Sequence, residues 1–333
     1  MRRKEKKMDL GWRALRRRIL TPSMKETKLS VRGFHVKDAV ARTMLETTGE
    51  SFLTGYAYAA EARHPAEAEE RLETVPRQYR GFAYEGAGMG FAIRDGLPFG
   101  GSYVSRFLEG RAQDHIYMVY VGIGWALARL PRFRWPNGGA AATDPLLRWL
   151  VLDGYGFHQA FFHTDRYVRE QYRERNFPWP AAGPSWYADR VIDQGIGRAI
   201  WFVGGADPTV AADLIDAFDE SRRSDLYCGA GLAATYAGAA GEAELGVLLQ
   251  RSGKHRPQVA QGSVFAGTAR FRADLVMPHT TAATRLLCGV TPEQASGLAE
   301  AARLESVGPA EVPAYEVWRR RIVARLTDLK TAP

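Results

Sequence analysis

Apolar and polar positions along this chain fall into repeated units, each of which contains a pair of glycines. The second glycines of five Gly-x-Gly pairs are separated by 36, 32, 41 and 34 residues, and an apolar or aromatic run of helical composition follows each pair. A looser pair, Gly262 and Gly267, extends the series. Spacing of this size is typical of proteins built from repeated helix pairs. The five pairs stand at residues 86–88, 122–124, 154–156, 195–197 and 229–231.

Two of these units match each other without gaps. Residues 64–88 align with residues 207–231 at a constant offset of 143, and the match includes a proline near the start and an arginine before the glycines. Proline is favourable in the first turn of a helix, and Asp207 before Pro208 can cap the free amides there. Each unit therefore predicts a proline-started amphipathic helix, a turn near the arginine and a second helix that the glycines open.

The predicted fold is a mainly α single domain, a helix-pair repeat that is α-solenoid-like and TPR-like, with a basic N-terminal arm. We expect a basic amphipathic arm over residues 1–24, the helical-repeat domain over 25–310 and a basic C-terminal helix over 311–333. Strands are poorly indicated. Residues 115–125 form the one stretch whose β-branched and aromatic content also fits an extended segment.

One glycine pair also matches a nucleotide-binding pattern. Residues 229–234 satisfy the G-x-G-x-x-G/A fingerprint of a dinucleotide-binding turn. That turn follows a buried β-strand, but the residues before Gly229 are polar. A helical glycine costs about 1 kcal/mol relative to alanine, so close packing between helix backbones is the expected compensation. We predict packing glycines and no phosphate site.

The net charge of +8 comes almost entirely from the N-terminus. Residues 1–18 contain nine Lys or Arg against Glu5 and Asp9, which gives +7. A localised charge of this kind does not predict a nucleic-acid partner. The arm is either a solvated terminus or a segment attracted to an anionic membrane or an acidic partner. The second alternative rests on an apolar stripe between the arginines, formed by Leu10, Trp12, Leu15, Ile19 and Leu20.

Other compositional features predict a cytoplasmic protein with at most peripheral membrane contact, through residues 1–20. No apolar run approaches the roughly 18 residues that a spanning helix needs. The two cysteines, Cys228 and Cys288, are not accompanied by a Cys/His cluster, so neither a disulfide framework nor a zinc site is expected.

Polar residues precede several of the glycine pairs, where a purely structural repeat would have apolar ones. Two interpretations are open: these side chains cap the helices that they precede, or they converge on a shared polar pocket. The residues are Glu85, Asp153, Gln194 and Gln261, against Val121 and Cys228 at the equivalent positions.

Residues 152–168 are the densest in titratable groups. His158 and His163 are five residues apart, about 140° around a helix, so they are not expected to share a metal ion. His158 is either a buried structural histidine or a general acid/base that works with Asp153 or Glu85. Arg198 either forms an ion pair with the preceding Asp193 that fixes neighbouring repeats or clamps an anionic group.

Four stretches resemble an uncharacterised bacterial family encoded in enediyne polyketide gene clusters. The resemblance covers about residues 20–289 and implies a role in converting a linear polyene into a polyyne or enediyne core, beside other proteins of the enediyne cassette. It supplies no catalytic residues. The stretches are "RGFAYEGAGM", "DGYGFHQAFFH", "DQGIGRAIWFVGGADP" and "GAGLAATYAG".

A wide apolar groove would suit such a hydrocarbon. The candidate catalytic residues are Glu85, Asp153 and His158. The candidate substrate-binding residues are Tyr84, Phe157, Phe161, Gln194, Arg198, Trp201 and Gln261, although aromatic residues of this kind also form cores. No motif for a flavin, a haem or a metal is present, so no cofactor is expected. The alternative to an accessory protein or enzyme acting on a polyene is a helical-repeat scaffold that assembles other biosynthetic proteins.

Overall fold

The computed structural model describes residues 2–98, 100–174, 177–178, 184–304 and 311–331, with side chains described between residues 11 and 329. Within these ranges there are helices and no strand, so the prediction of a mainly α single domain is confirmed. Residues 116–125, the possible strand, lie in a helix. The helices are α1 (Arg2–Leu20), α2 (Leu29–Arg32), α3 (Ala39–Glu61), α4 (Pro65–Leu72), α5 (Arg77–Gly96), α6 (Tyr103–Leu108), α7 (Ile116–Arg129), α8 (Trp135–Gly138), α9 (Leu150–Phe162), α10 (Ala188–Val203), α11 (Pro208–Asp216), α12 (Glu220–Ala237), α13 (Glu242–Arg251), α14 (Arg256–Arg272), α15 (Pro278–Cys288), α16 (Pro292–Ala301) and α17 (Ala314–Thr331).

The helices form two layers. In the inner layer the long helices pack each against the next, in the order α3, α5, α7, α9, α10, α12 and α14. In the outer layer α4 packs on α6, and α11, α13 and α15 pack in series. A short outer helix followed by a long inner one is the predicted helix pair. It recurs as α4 with α5, α6 with α7, α11 with α12, and α13 with α14.

The two aligned units share side-chain contacts as well as sequence. Arg80 donates to the carbonyl of Val75 and its counterpart Arg223 donates to the carbonyl of Phe218, five residues upstream in each case. Pro208 begins α11, and the Asp207 carboxyl accepts from the amides of residues 209 and 210 at 2.8 and 3.2 Å. The proline-started outer helix and its cap are therefore confirmed.

The glycines do not open the second helix of each unit, as the sequence suggested. Helix α5 begins at Arg77 and α12 begins at Glu220, nine residues before Gly86 and Gly229 respectively. In α5 and α12 the polar residues well before the pair form the first turns of the inner helix, where Arg80 and Arg223 reach the connection to the outer helix. The glycines therefore lie in the middle of the inner helices, where the helices cross.

At each crossing a glycine faces the backbone of the preceding inner helix. A Cβ on Gly195 would lie 1.9 Å from the carbonyl oxygen of Asp153, and one on Gly229 would lie 2.0 Å from that of Gln194. The second glycine of a pair faces the following helix in the same way: a Cβ on Gly197 would lie 2.0 Å from the carbonyl oxygen of Leu226. The packing interpretation of the glycines is confirmed. Gly229 packs against the backbone of α10 and is not part of a phosphate-binding turn.

The row of inner helices curls, so that the start of α5 meets the ends of α12 and α14. Arg270 of α14 donates to the carbonyl of Gln78 at 2.9 Å and to the carbonyl of Tyr236 at 2.6 Å. The rings of Phe82 and Tyr236 meet edge to face, with centroids 5.0 Å apart. Helix α17 packs against α14 and buries Trp318 completely. The predicted boundary at residue 310 lies outside the described residues.

Candidate functional site

The curled inner layer forms a partly open cavity of about 470 Å³. It lies among α3, α5, α7, α9 and α10, and residues 22–29 cover it. A volume of this size is typical of small-molecule sites. Seven aromatic side chains line the wall: Phe52, Phe82, Trp125, Phe157, Phe161, Phe162 and Phe202.

Trp125 of α7 contacts aromatic residues of two other helices in this wall. Its ring centroid lies 4.5 Å from that of Phe52 on α3 and 5.1 Å from that of Phe157 on α9. Phe157 and Phe161 are four residues apart on α9, so both project from one helical face, and their rings stack at 5.9 Å. Close helix crossings hold these rings side by side, and the result is a continuous apolar surface with a polar group at its inner end.

That polar group is the carboxyl of Glu85, which is buried in the middle of α5. Arg198 Nη2 lies 3.8 Å from Glu85 Oε1. Burial raises the pKa of Glu85 to about 7; Arg198 opposes the rise, and the negative charge of Asp153 adds to it. A carboxyl with this pKa is divided between its acid and its carboxylate near neutral pH, as catalytic acids and bases require.

Asp153 holds Arg198 in place from outside the cavity. The fully buried Asp153 carboxylate accepts from Arg198 Nη1 and from Gln194 Nε2, the latter at 2.7 Å. Arg198 also lies over the ring of Phe157, 5.0 Å from the guanidinium carbon to the centroid. One cation thus lies between two carboxyls, Asp153 on the protein side and Glu85 on the cavity side. The ion-pair interpretation of Arg198 is confirmed, and its carboxylate comes from α9 instead of Asp193, which pairs with Arg222 at 2.6 Å.

His158 lies in the cavity wall without a polar contact to Glu85 or Asp153. Its ring meets Trp125 edge-on at 5.5 Å, and its Nδ1 has no hydrogen-bond partner among the described residues. Burial lowers the pKa of His158 to about 3, so the imidazole is neutral. The structure gives His158 an unpaired nitrogen close to the cavity, and it does not form the acid/base pair that the sequence suggested.

Four of the candidate substrate-binding residues do not line the cavity. Tyr84 stacks on His115 with centroids 3.7 Å apart, and its hydroxyl donates to Glu73 at 2.7 Å. Trp201 is fully buried and donates to the carbonyl of Gly238 at 3.1 Å. Gln194 and Gln261 are the other two. Phe157, Phe161 and Arg198 do line it.

Gln194 and Gln261 belong to a buried polar row that crosses the inner helices. Gln194 binds Asp153, and Gln261 accepts from the thiol of Cys228 at 3.1 Å and from Arg319 Nε at 2.9 Å. These side chains bond across helix interfaces and cap no helix, so the capping interpretation is wrong. They do converge, but Glu85 is the member of the row that reaches the cavity.

No sequence pattern predicts the cover of the cavity. Arg32 donates to the carbonyls of Phe161 and Phe162 at 3.0 and 2.9 Å and pairs with Glu26 at 2.9 Å. These bonds fasten the segment to the end of α9, about 130 positions later in the chain. Its cavity-lining residues carry no motif; they are Pro22, Glu26, Thr27 and Leu29.

A family model matches most of the chain. The family described as "Protein of unknown function (DUF1702)" matches residues 11–326. The chain belongs to this family. The DUF1702 match spans the helical array, the polar row and every cavity residue named above. No curated protein and no solved structure matches the chain.

Replacing Glu85 with glutamine is expected to change the pH dependence of stability. A carboxyl whose pKa rises from 4.5 to about 7 on folding stabilises the fold at low pH, and this contribution is lost as the pH rises through about 7. The contribution is about 3 kcal/mol. Denaturant unfolding of both proteins at about pH 4.5 and about pH 8 measures it. We expect the wild-type protein to lose about 3 kcal/mol more than the variant between these pH values; parallel profiles would contradict the assignment.

Proposed function

We propose that the protein binds an elongated apolar molecule in the cavity and exchanges a proton with it through Glu85. The observation that carries this proposal is a carboxyl with a pKa of about 7 at the inner end of an aromatic cavity of about 470 Å³. Of the two carboxyls that line the cavity in the described residues, Glu26 lies at the cover and is paired with Arg32. Glu85 is therefore the carboxyl that an apolar ligand inside the cavity meets.

We propose a linear conjugated polyene as the ligand class. Flat aromatic walls suit a flat conjugated chain, because the faces and edges of the rings contact it along its length. The resemblance of four glycine-containing stretches to proteins of enediyne polyketide clusters supports the same class. On this proposal the protein is an accessory protein or enzyme of enediyne or polyyne biosynthesis that acts on a polyene intermediate.

The chemistry within reach of Glu85 is proton transfer. Its carboxylate takes a proton from one carbon of the polyene, and the resulting acid returns a proton to another carbon. The double bonds shift and no atoms are gained or lost, so this step needs no oxidant or reductant. Arg198 at 3.8 Å stabilises the carboxylate form, and Asp153 keeps that cation in place. Formation of alkynes from a polyene would need a redox partner.

A fluorescent conjugated tetraene fatty acid tests the binding step. We expect an increase of its fluorescence with the wild-type protein and a loss of affinity of at least about tenfold with Ala128→Trp, because an indole at this cavity-lining position occupies the ligand volume. Ala217→Trp is the matched control, since Ala217 is exposed and outside the cavity. Equal affinity of the two variants would contradict binding in the cavity. Circular dichroism checks that both fold.

A deuterium-exchange experiment tests the role of Glu85. Incubation of the bound polyene in heavy water is expected to place deuterium on its carbons with the wild-type protein and not with Glu85→Gln, while both proteins bind the probe. Glu69→Gln is the control, because Glu69 is a buried carboxyl outside the cavity whose pKa burial also raises. Deuterium exchange that persists with Glu85→Gln would contradict the proposed role of Glu85 in proton transfer. It would not contradict the proposal that the cavity binds a polyene.

The alternative function is a helical-repeat scaffold that assembles other biosynthetic proteins. The stacked helix pairs favour it, because such arrays often present extended surfaces to partners. On that alternative, Ala128→Trp and Glu85→Gln leave product formation in the producing cell unchanged, and changes to the exterior of the array abolish it.

A further inference from the structure

The exposed apolar side chains of this protein are concentrated in one short part of the chain. Twelve large hydrophobic side chains are exposed in the described residues, and seven of them lie within residues 12–40. A concentration of this kind marks an interaction surface, whereas single exposed apolar residues need no explanation. The seven are Trp12, Leu15, Ile19, Met24, Val31, Val36 and Val40.

Helix α1 turns three residues of its apolar stripe away from the domain, whereas Leu20 packs against the core. Trp12, Leu15 and Ile19 are three and four residues apart, so they share one helical face, and they are 60%, 45% and 67% exposed. A surface helix normally buries its apolar stripe against the core and leaves its charged face in water. Here the polar face is the one that packs against the domain, and the apolar face is left for a partner.

Arginines fix this orientation. Arg13 Nε donates to the carbonyl of Glu61 at 2.9 Å, and Arg16 Nη2 donates to the carbonyls of Glu61 and Ala62 at 3.0 and 2.9 Å. Arg17 pairs with the Glu61 carboxylate at 3.2 Å. These bonds anchor α1 to the end of α3, so the outward direction of Trp12, Leu15 and Ile19 follows from the attachment of the helix to the domain.

The charge of the segment favours an anionic partner. Of the nine Lys or Arg in residues 1–18, Arg13, Arg16 and Arg17 bond to the domain, and five others precede Met8. Anionic lipid headgroups attract basic segments next to an apolar face, and tryptophan favours the boundary between headgroups and acyl chains. No helix in the described part of the chain is long and apolar enough to cross a membrane. An amphipathic helix of this kind lies in the plane of the surface.

We propose that α1 docks on an anionic lipid bilayer with Trp12, Leu15 and Ile19 inserted at the headgroup boundary. The docking is independent of the proposed function. It has a consequence for the cavity: α1 ends at Leu20, and Pro22 already lines the cavity. The docked helix thus places the cover of the cavity next to the lipid, and an apolar ligand enters from the bilayer without crossing water. This consequence rests on the proposed function.

Vesicle co-sedimentation of the full chain tests the docking. We expect binding to vesicles of phosphatidylcholine mixed with phosphatidylglycerol, weaker binding to phosphatidylcholine alone, and loss of the difference at high salt. The combined variant Trp12→Ala, Leu15→Ala, Ile19→Ala is expected to bind the mixed vesicles at least about tenfold more weakly. These side chains are exposed, so their truncation leaves the fold intact.

The matched control truncates three exposed apolar side chains elsewhere, in Phe133→Ala, Trp186→Ala, Phe271→Ala. It is expected to bind the mixed vesicles as the wild-type protein does. The proposal is overturned if the α1 variant binds the mixed vesicles as well as the control does, or if the wild-type protein does not bind anionic vesicles at low salt. It is equally overturned if light scattering shows that the stripe holds two copies together and that this dimer does not bind vesicles. Loss of vesicle binding with polyene binding intact separates this proposal from the proposed function.

Discussion

Replacing Gly195 with alanine is expected to destabilise the protein by about 3 kcal/mol, the upper part of the usual range for overpacking. The new Cβ would lie 1.9 Å from the carbonyl oxygen of Asp153 and 2.8 Å from the amide nitrogen of Phe157. Both are backbone atoms, so no side-chain rotation relieves the contact and α9 and α10 must separate. Chemical denaturation of the two proteins measures the difference.

Gly246→Ala is the matched control for this prediction. Gly246 also lies inside a helix, α13, but nothing lies within 4 Å of the position that its Cβ would take. Alanine there is expected to stabilise the protein by about 1 kcal/mol, because alanine is the better helix former. The two substitutions are chemically identical and have opposite expected signs. If Gly195→Ala were neutral or stabilising, close backbone packing would not explain the glycine repeat.

Replacing Arg198 with methionine is expected to destabilise the protein by about 3–5 kcal/mol near neutral pH. Methionine is unbranched like the aliphatic part of arginine, and the substitution leaves the buried carboxylate of Asp153 without its cation. It also removes the positive charge that opposes the rise in the pKa of Glu85, so this pKa rises further. The loss of stability is therefore expected to be larger at about pH 8 than at about pH 5.

A second substitution separates the charge from the packing of Arg198. With Asp153→Asn added, the uncompensated charge disappears, and we expect about 2 kcal/mol of the loss to be recovered. The exposed pair Arg169 and Asp165 gives the reference, since Arg169→Met is expected to cost less than about 1 kcal/mol. A double variant no more stable than Arg198→Met would show that Arg198 acts through packing alone.

Much of the architecture is predictable because each glycine pair marks a place where two helix backbones approach closely. A helix backbone comes this close to its neighbour only where the residue that faces it has no Cβ, so regularly spaced glycines indicate regularly spaced crossings. The prolines at 65 and 208 similarly mark the starts of outer helices. The helix starts of the inner layer were missed, because polar turns before the glycines resemble loops in sequence.

The site is only partly predictable from the same residues. Glu85, His158, Phe157, Phe161 and Arg198 line the cavity, whereas Asp153, Gln194 and Gln261 form the buried polar row behind it. All the polar residues that precede glycines occupy equivalent places in the repeat, so their local sequence does not distinguish them. Tyr84 and Trp201 have aromatic neighbours in sequence like those of Phe157, yet they pack in the core.

Local sequence patterns are enough to predict that the chain is helical, that its helices are paired, and that they cross at the glycines. These properties depend on interactions within a few turns, or on one repeated contact. Which of the equivalent side chains opens into a cavity follows from the three-dimensional fold alone, because it depends on how the whole row of helices curls. The fold also determines the position of the cover. Arg32 bonds it to carbonyls about 130 residues away, and contacts of this kind produce no periodic pattern in the sequence.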